Sequence, residues 1–104
     1  MKGIKNDLGK PRFGLIPVEP LKFVALAMNY GANKYGDYNW MNGLKFERYY
    51  SACLRHLTAW YNREEYDSES SLHHLSHAIC CCFFLLYYSI NYKKYCKFDD
   101  RPRR

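Results

Sequence analysis

The chain has 104 residues, 48% of them hydrophobic, and a formal net charge of +6. That length predicts a single domain with a small core that self-association would help. The composition excludes a disordered chain, and five cysteines, an odd number with Cys80, Cys81 and Cys82 consecutive, exclude a full disulfide framework.

The first residues, Met-Lys-Gly-Ile-Lys-Asn-Asp, do not read as a secretory leader, so none is expected. The longest apolar run, Ala78–Ile90, has thirteen residues, where a membrane-spanning helix needs about 18. A cytoplasmic protein with no membrane partner is expected. Its basic balance suits an anionic ligand.

Residues 1–17 carry Gly9, Pro11, Gly14 and Pro17, a density that predicts an ordered arm and not a helix. Glu19-Pro20 reads as a helix start, because proline is harmless in a first turn. Leu21, Val24, Ala25, Met28 and Ala32 then form one apolar face. This helix should end near Tyr30-Gly31 or at Gly36. Residues 36–43, rich in Gly, Asn and aromatics, predict a binding loop.

A second helix is expected from Leu44 to Asn62, with Phe46, Tyr50, Cys53, Leu57 and Trp60 as its core stripe and Arg48 and Arg55 on a neighbouring one. A charged link follows, and Ser68 or Ser70 can cap a third helix from about Ser70 to Lys94. The middle of that helix is apolar all round, which predicts a contact shared with another subunit. Residues 95–104 read as a solvated basic tail. The expected fold is therefore an all-α bundle of three main helices with an N-terminal arm, assembled as a homo-oligomer.

Three groups of residues carry chemistry. His73, His74 and His77 lie at helical spacing, and His74, His77 and Cys81 form a line suited to zinc. Glu64 and Asp67, with Glu69 beside them, have the i, i+3 spacing of a carboxylate pair that would hold Mg²⁺ or Mn²⁺ on one helical face. Lys10, Arg12, Lys34, Tyr35, Asn39, Trp40, Arg48 and Arg55 together suit a purine nucleotide. Arginine forks bind phosphate, aromatics stack on a base, and asparagine can read a base edge.

Lys5-Asn-Asp-Leu-Gly-Lys-Pro-Arg12, Leu15-Ile-Pro17, Tyr30-Gly-Ala-Asn-Lys-Tyr-Gly36, Asn39-Trp40, Arg55-His-Leu57, Glu64, Asp67, Glu69-Ser70 and His74-Leu-Ser-His-Ala78 occur in one order. In these pieces the chain resembles the N-terminal part of phage dATP/dGTP diphosphohydrolases. The resemblance implies a phage origin, a purine nucleotide ligand and kinship with all-α pyrophosphohydrolases. Its pattern leads one to expect glycine where this chain has Arg63 and Ser71. It also leads one to expect two acidic pairs on separate helices, whereas one pair is visible here and the second helix offers only Glu47.

Two functions are compatible with these residues. In the first, the chain is a metal-dependent hydrolase converting dATP- or dGTP-like nucleotides to the monophosphate and pyrophosphate. An ion on Glu64, Asp67 and Glu69 would bridge phosphates, Arg12, Arg55 and Lys34 would neutralise charge, and His56, His74 or His77 would act as the base. In the second, it is a metal-free sponge for a host immune signalling nucleotide, a cyclic nucleotide or cyclic ADP-ribose, blocking anti-phage defence. Nucleic-acid binding rests on charge alone, because no helix-turn-helix or zinc-finger pattern occurs.

Overall fold

The computed structural model describes residues 1–103, and over these the protein is all-α. Helices α1 (Val18–Tyr35), α2 (Phe46–Tyr61) and α3 (His74–Ile90) are long, and α4 (Tyr92–Tyr95) is a single turn. The only β-type pairing among the described residues is an isolated antiparallel bridge between Tyr66 and His73.

α3 is the central element: α1 and α2 both pack on it. Val24 and Ala27 of α1 bury against Cys80, with Met28 and Phe84 beside them. Cys53 of α2 buries against Ala78 and Cys81. A third, aromatic cluster joins Phe46, Tyr88 and Tyr95. Tyr88 is completely buried, and its hydroxyl donates to the Trp40 carbonyl at 2.5 Å. The Tyr95 hydroxyl donates to the Met41 carbonyl at 2.6 Å. The short 3₁₀ turn Asn39–Asn42 is thus held from beneath by two phenols.

Several expectations need correction. On α1, Leu21 and Ala25 face solvent and Ala27 is buried. On α2 the inward side is Phe46, Tyr49, Ala52, Cys53 and His56, while Tyr50, Leu57 and Trp60 are exposed. The cause is that, among the long helices, α2 packs mainly on α3 and leaves its other apolar stripe uncovered. Helix α3 starts at His74 and not near Ser70: His73 is its cap, and Nδ1 of His73 accepts from the Leu75 amide. It also stops at Ile90 and not at Lys94, where the Asn91 side-chain amide takes the Tyr87 carbonyl.

Beyond that stop the chain turns by 101° and residues 95–101 pack back on the body, so the expected solvated tail is largely structural. Asp100 accepts from the Glu47 amide and caps α2 at 2.9 Å. Arg101 grips both oxygens of Asp99 at 2.9 Å and lies 5.6 Å from the Phe46 ring centre. Gly43, at φ 97°, is the one place where a Cβ would strike the Phe98 ring, at 2.1 Å.

The arm is exposed at every residue from 1 to 17 and contains one short 3₁₀ turn, Phe13–Leu15. The molecule measures 54 × 35 × 31 Å. No single helix among the described residues is long and apolar enough to cross a membrane.

Candidate functional site

α1 and α2 lean on α3 without closing over it, and leave a groove of about 680 Å³. A volume of this size accommodates a small organic ligand. Its floor is formed by Cys80, Cys81 and Phe84 of α3, with Tyr49 and Ala52 of α2. Trp40 and Tyr49 flank Phe84 at one end, with ring centres 4.8 and 5.0 Å away. At the other end are His56, Asp67, Glu69 and His77. Seven residues separate Tyr49 from His56 and His77 from Phe84, about 10 Å along each helix.

The imidazole end is built from three elements. α2 contributes His56, α3 contributes His74 and His77, and the loop between them contributes Asp67. The His56 and His77 rings stack at 4.7 Å and 16°. Nδ1 of His56 lies 2.9 Å from Nδ1 of His74. One ligand atom from each of His56, Asp67 and His74 falls within 4.8 Å of the others, the spacing of a shared ion.

Hydrogen bonds fix the tautomers. Nε2 of buried His74 meets Oε2 of Glu64 at 2.5 Å. The carboxylate can only accept, so the neutral ring keeps its proton on Nε2 and presents a lone pair at Nδ1. The His56 Nδ1–H therefore donates to His74. Ser70 donates its hydroxyl proton to Oδ2 of Asp67 and its amide binds the same oxygen, both at 2.9 Å. Ser70 Oγ must then accept from the His77 Nε2–H at 2.7 Å, which leaves His77 Nδ1 unprotonated.

Burial pushes His56 below the ordinary imidazole value, and the neighbouring His77 and His74 push it further. Burial likewise lowers His77, although Asp67 opposes the shift. Burial alone would raise Asp67, but the two Ser70 bonds and the nearby imidazoles outweigh it and hold the carboxylate low. His56 and His77 are thus set as neutral imidazoles beside an ionised Asp67 carboxylate at neutral pH.

The loop does not follow the expected helical geometry. Residues 62–73 are non-helical, so Glu64 and Asp67 share no helix face. Asp67 lines the groove, and Glu64 stands behind His74. Glu69 lines the groove but is engaged by Lys34 Nζ at 2.7 Å and by the Tyr30 hydroxyl at 3.1 Å. The Lys34 bond lowers the Glu69 carboxyl first, and the Tyr30 bond adds to it. The zinc line His74–His77–Cys81 does not form a ligand group. Cys81 is buried against Cys53 and Ala78, and burial pushes its thiol up to about 12.

Of the residues singled out for a nucleotide, Lys34, Tyr35, Asn39 and Trp40 line the groove. One face of the Trp40 ring is taken by Phe84, at 24°. Lys10 and Arg12 stand on the exposed arm, and Arg48 and Arg55 point to the exposed side of α2. None of these four lines the groove. Sequence reasoning missed Tyr30, Tyr49 and Ser70. The only signal for Ser70 was its place three residues after Asp67, the spacing at which a side-chain carboxylate captures a turn amide.

Fold and site together define an all-α protein with an aromatic groove that ends in an imidazole–carboxylate cluster. The chain belongs to the family described as dATP/dGTP diphosphohydrolase, N-terminal, whose model matches residues 1–101. It is 38% identical over 87 residues to a dATP/dGTP diphosphohydrolase of Salmonella phage PMBT28. That match covers 84% of this chain and 30% of the relative, so the chain spans less than a third of the longer protein. No solved structure matches it significantly.

Proposed function

We propose that the groove binds a purine deoxynucleoside triphosphate, dATP- or dGTP-like, and hydrolyses it to the monophosphate and pyrophosphate in a phage-encoded protein. The observation that carries this reading is the groove's polarity: an aromatic end and an imidazole–carboxylate end about 10 Å apart, a span that fits a base at one end and phosphates at the other. The family's named activity is nucleotide hydrolysis, and the relative bears the same name.

In this reading the base lies against Trp40 and Tyr49, with Asn39 at its edge. Among the described residues, Lys34 is the only lysine or arginine lining the groove. One cation is too little for a triphosphate, so a divalent ion belongs to the proposal. The donor set of His56, His74 and Asp67 fits a divalent ion. Such an ion would polarise the phosphoryl oxygens and stabilise charge on the leaving pyrophosphate. His77 Nδ1 takes the proton from water. Oxygen then bonds to the α-phosphorus, and the bond from that phosphorus to pyrophosphate breaks. The lowered imidazole value keeps His77 unprotonated and available at neutral pH.

The sponge reading has one observation in its favour: of the acidic residues predicted at the site, Glu64 stands behind His74 and Glu69 is held by Lys34. A cyclic nucleotide or cyclic ADP-ribose held in the groove would need no ion. Chromatography of a nucleotide before and after heat denaturation of the protein separates the two readings. The hydrolase yields the monophosphate, and the sponge returns the ligand unaltered.

The uncovered apolar residues Ile79, Phe83, Leu86 and Ile90 of α3 support assembly as a homo-oligomer. A cytoplasmic location in the infected host belongs to the same reading.

A further inference from the structure

We infer that the cluster at the groove end is a mononuclear site for a borderline transition ion of the Zn²⁺ or Co²⁺ type, held by His56 Nδ1, His74 Nδ1 and Asp67, with Glu64 as its positioning residue. The inference concerns the same site as the proposed hydrolysis and identifies its ion.

The donor chemistry decides the ion class. Mg²⁺ selects oxygen ligands and keeps most of its water, whereas imidazole nitrogen suits Zn²⁺, Co²⁺ and Ni²⁺. Two of the three converging atoms here are imidazole nitrogens. His74 is 4% exposed, and a buried imidazole nitrogen with a free lone pair is a poor ligand for a hydrated Mg²⁺ ion.

The geometry is close to ligation. Two nitrogens on one tetrahedral ion, at bonds of about 2.05 Å, stand about 3.3 Å apart. Nδ1 of His56 and Nδ1 of His74 are 2.9 Å apart. A shift of a few tenths of an ångström, with the His56 proton moving to Nε2 or to solvent, opens the pair. Asp67 is held in place by the Ser70 amide and hydroxyl. These bonds occupy Oδ2 and leave Oδ1 for the ion.

Glu64 completes the arrangement. Its carboxylate takes the Nε2 proton of His74 at 2.5 Å, which fixes the tautomer that points a lone pair inward. A carboxylate behind a ligating histidine raises the basicity of the ring and fixes its orientation. This explains an acidic residue that neither lines the groove nor shares a helix face with Asp67.

The test uses the chelator-stripped full chain and single ions without nucleotide. Co²⁺ is followed by its visible absorption, Zn²⁺ by competition with a chromophoric chelator, and Mg²⁺ by calorimetry. The expected result is one equivalent of Co²⁺ or Zn²⁺ bound at least about 100-fold more tightly than Mg²⁺, loss of that binding in His56→Gln, and weakening of roughly 10- to 100-fold in Glu64→Gln. Circular dichroism of both variants should match that of the parent. If Glu64→Gln fails to fold, Glu64→Asp, which shortens the reach to His74, should weaken binding in the same direction. Mg²⁺ binding as tightly as Zn²⁺, no ion bound by the folded parent, or affinity unchanged in the Glu64 variants would overturn the inference. Stoichiometric Co²⁺ binding in a protein that hydrolyses no nucleotide would uphold it and refute the hydrolase reading. Hydrolysis supported by Mg²⁺ in a protein that ignores Co²⁺ would do the reverse.

Discussion

Ser71 and Arg63 occupy the left-handed region, at φ 62° and 76°. A side chain there costs about 1–2 kcal/mol, and glycine recovers most of it at an entropic cost of roughly 0.5–1 kcal/mol. Ser71→Gly should therefore raise stability by up to about 1 kcal/mol, read as a higher Tm with unchanged ion binding. An unchanged or lower Tm would show that the turn is not strained. These two positions were legible in the sequence, because they are where the family resemblance leads one to expect glycine. Tyr88 was less legible: nothing in an apolar run marks which tyrosine is buried with its hydroxyl on a backbone carbonyl. Tyr88→Phe leaves the Trp40 carbonyl without its donor and should cost about 1–2 kcal/mol. Chemical denaturation measures that cost, and a loss well below it would mean that water replaces the phenol.

At the scale of the elements, the all-α class and the order of the long helices follow from periodicity and from Gly and Pro punctuation. Their inward faces do not. Periodicity finds an apolar stripe, but α2 carries two, and only packing on α3 selects the one with Tyr49, Ala52 and His56. The loop was legible in its residue types and not in its geometry, because Asp67 and Glu64 are placed by hydrogen bonds that have no period. The stacked His56–His77 pair makes this α2–α3 contact sensitive to pH. Both imidazoles are held below 6.5 in the folded protein, so the unfolded chain takes up protons first as pH falls. Their contribution to stability is fully present above about 6.5 and is lost as pH drops through the lowered folded values. The Tm of the chelator-stripped protein should fall between pH 7 and pH 5, and less steeply in His77→Gln. An equal slope in that variant would remove His77 from the effect.

For the whole molecule, the radius of gyration of 16.8 Å exceeds the roughly 13 Å of a compact chain of this length. The arm, exposed at every residue from 1 to 17, contributes to the difference. Ile4, Leu8 and Phe13 of the arm, and Phe83, Leu86 and Ile90 of α3, are all exposed. Apolar area of this extent on a small domain predicts association. Phe83→Glu with Leu86→Glu should shift the sedimenting mass to that of one chain, and an unchanged mass would place the interface elsewhere or show no assembly. The +6 charge reads differently in three dimensions. Lys10, Arg12, Arg48 and Arg55 lie outside the groove, so composition pointed to an anionic ligand while leaving its cationic contacts unassigned.

The measurement that tests the account most directly is incubation of the purified protein with dGTP and dATP in the presence of Mg²⁺, Mn²⁺, Co²⁺ or Zn²⁺ in turn, resolved by chromatography before and after heat denaturation. The account predicts loss of the triphosphate with matching monophosphate and pyrophosphate, abolished in Asp67→Asn. Triphosphate recovered intact with every ion, whether free in solution or released on heating, would contradict it.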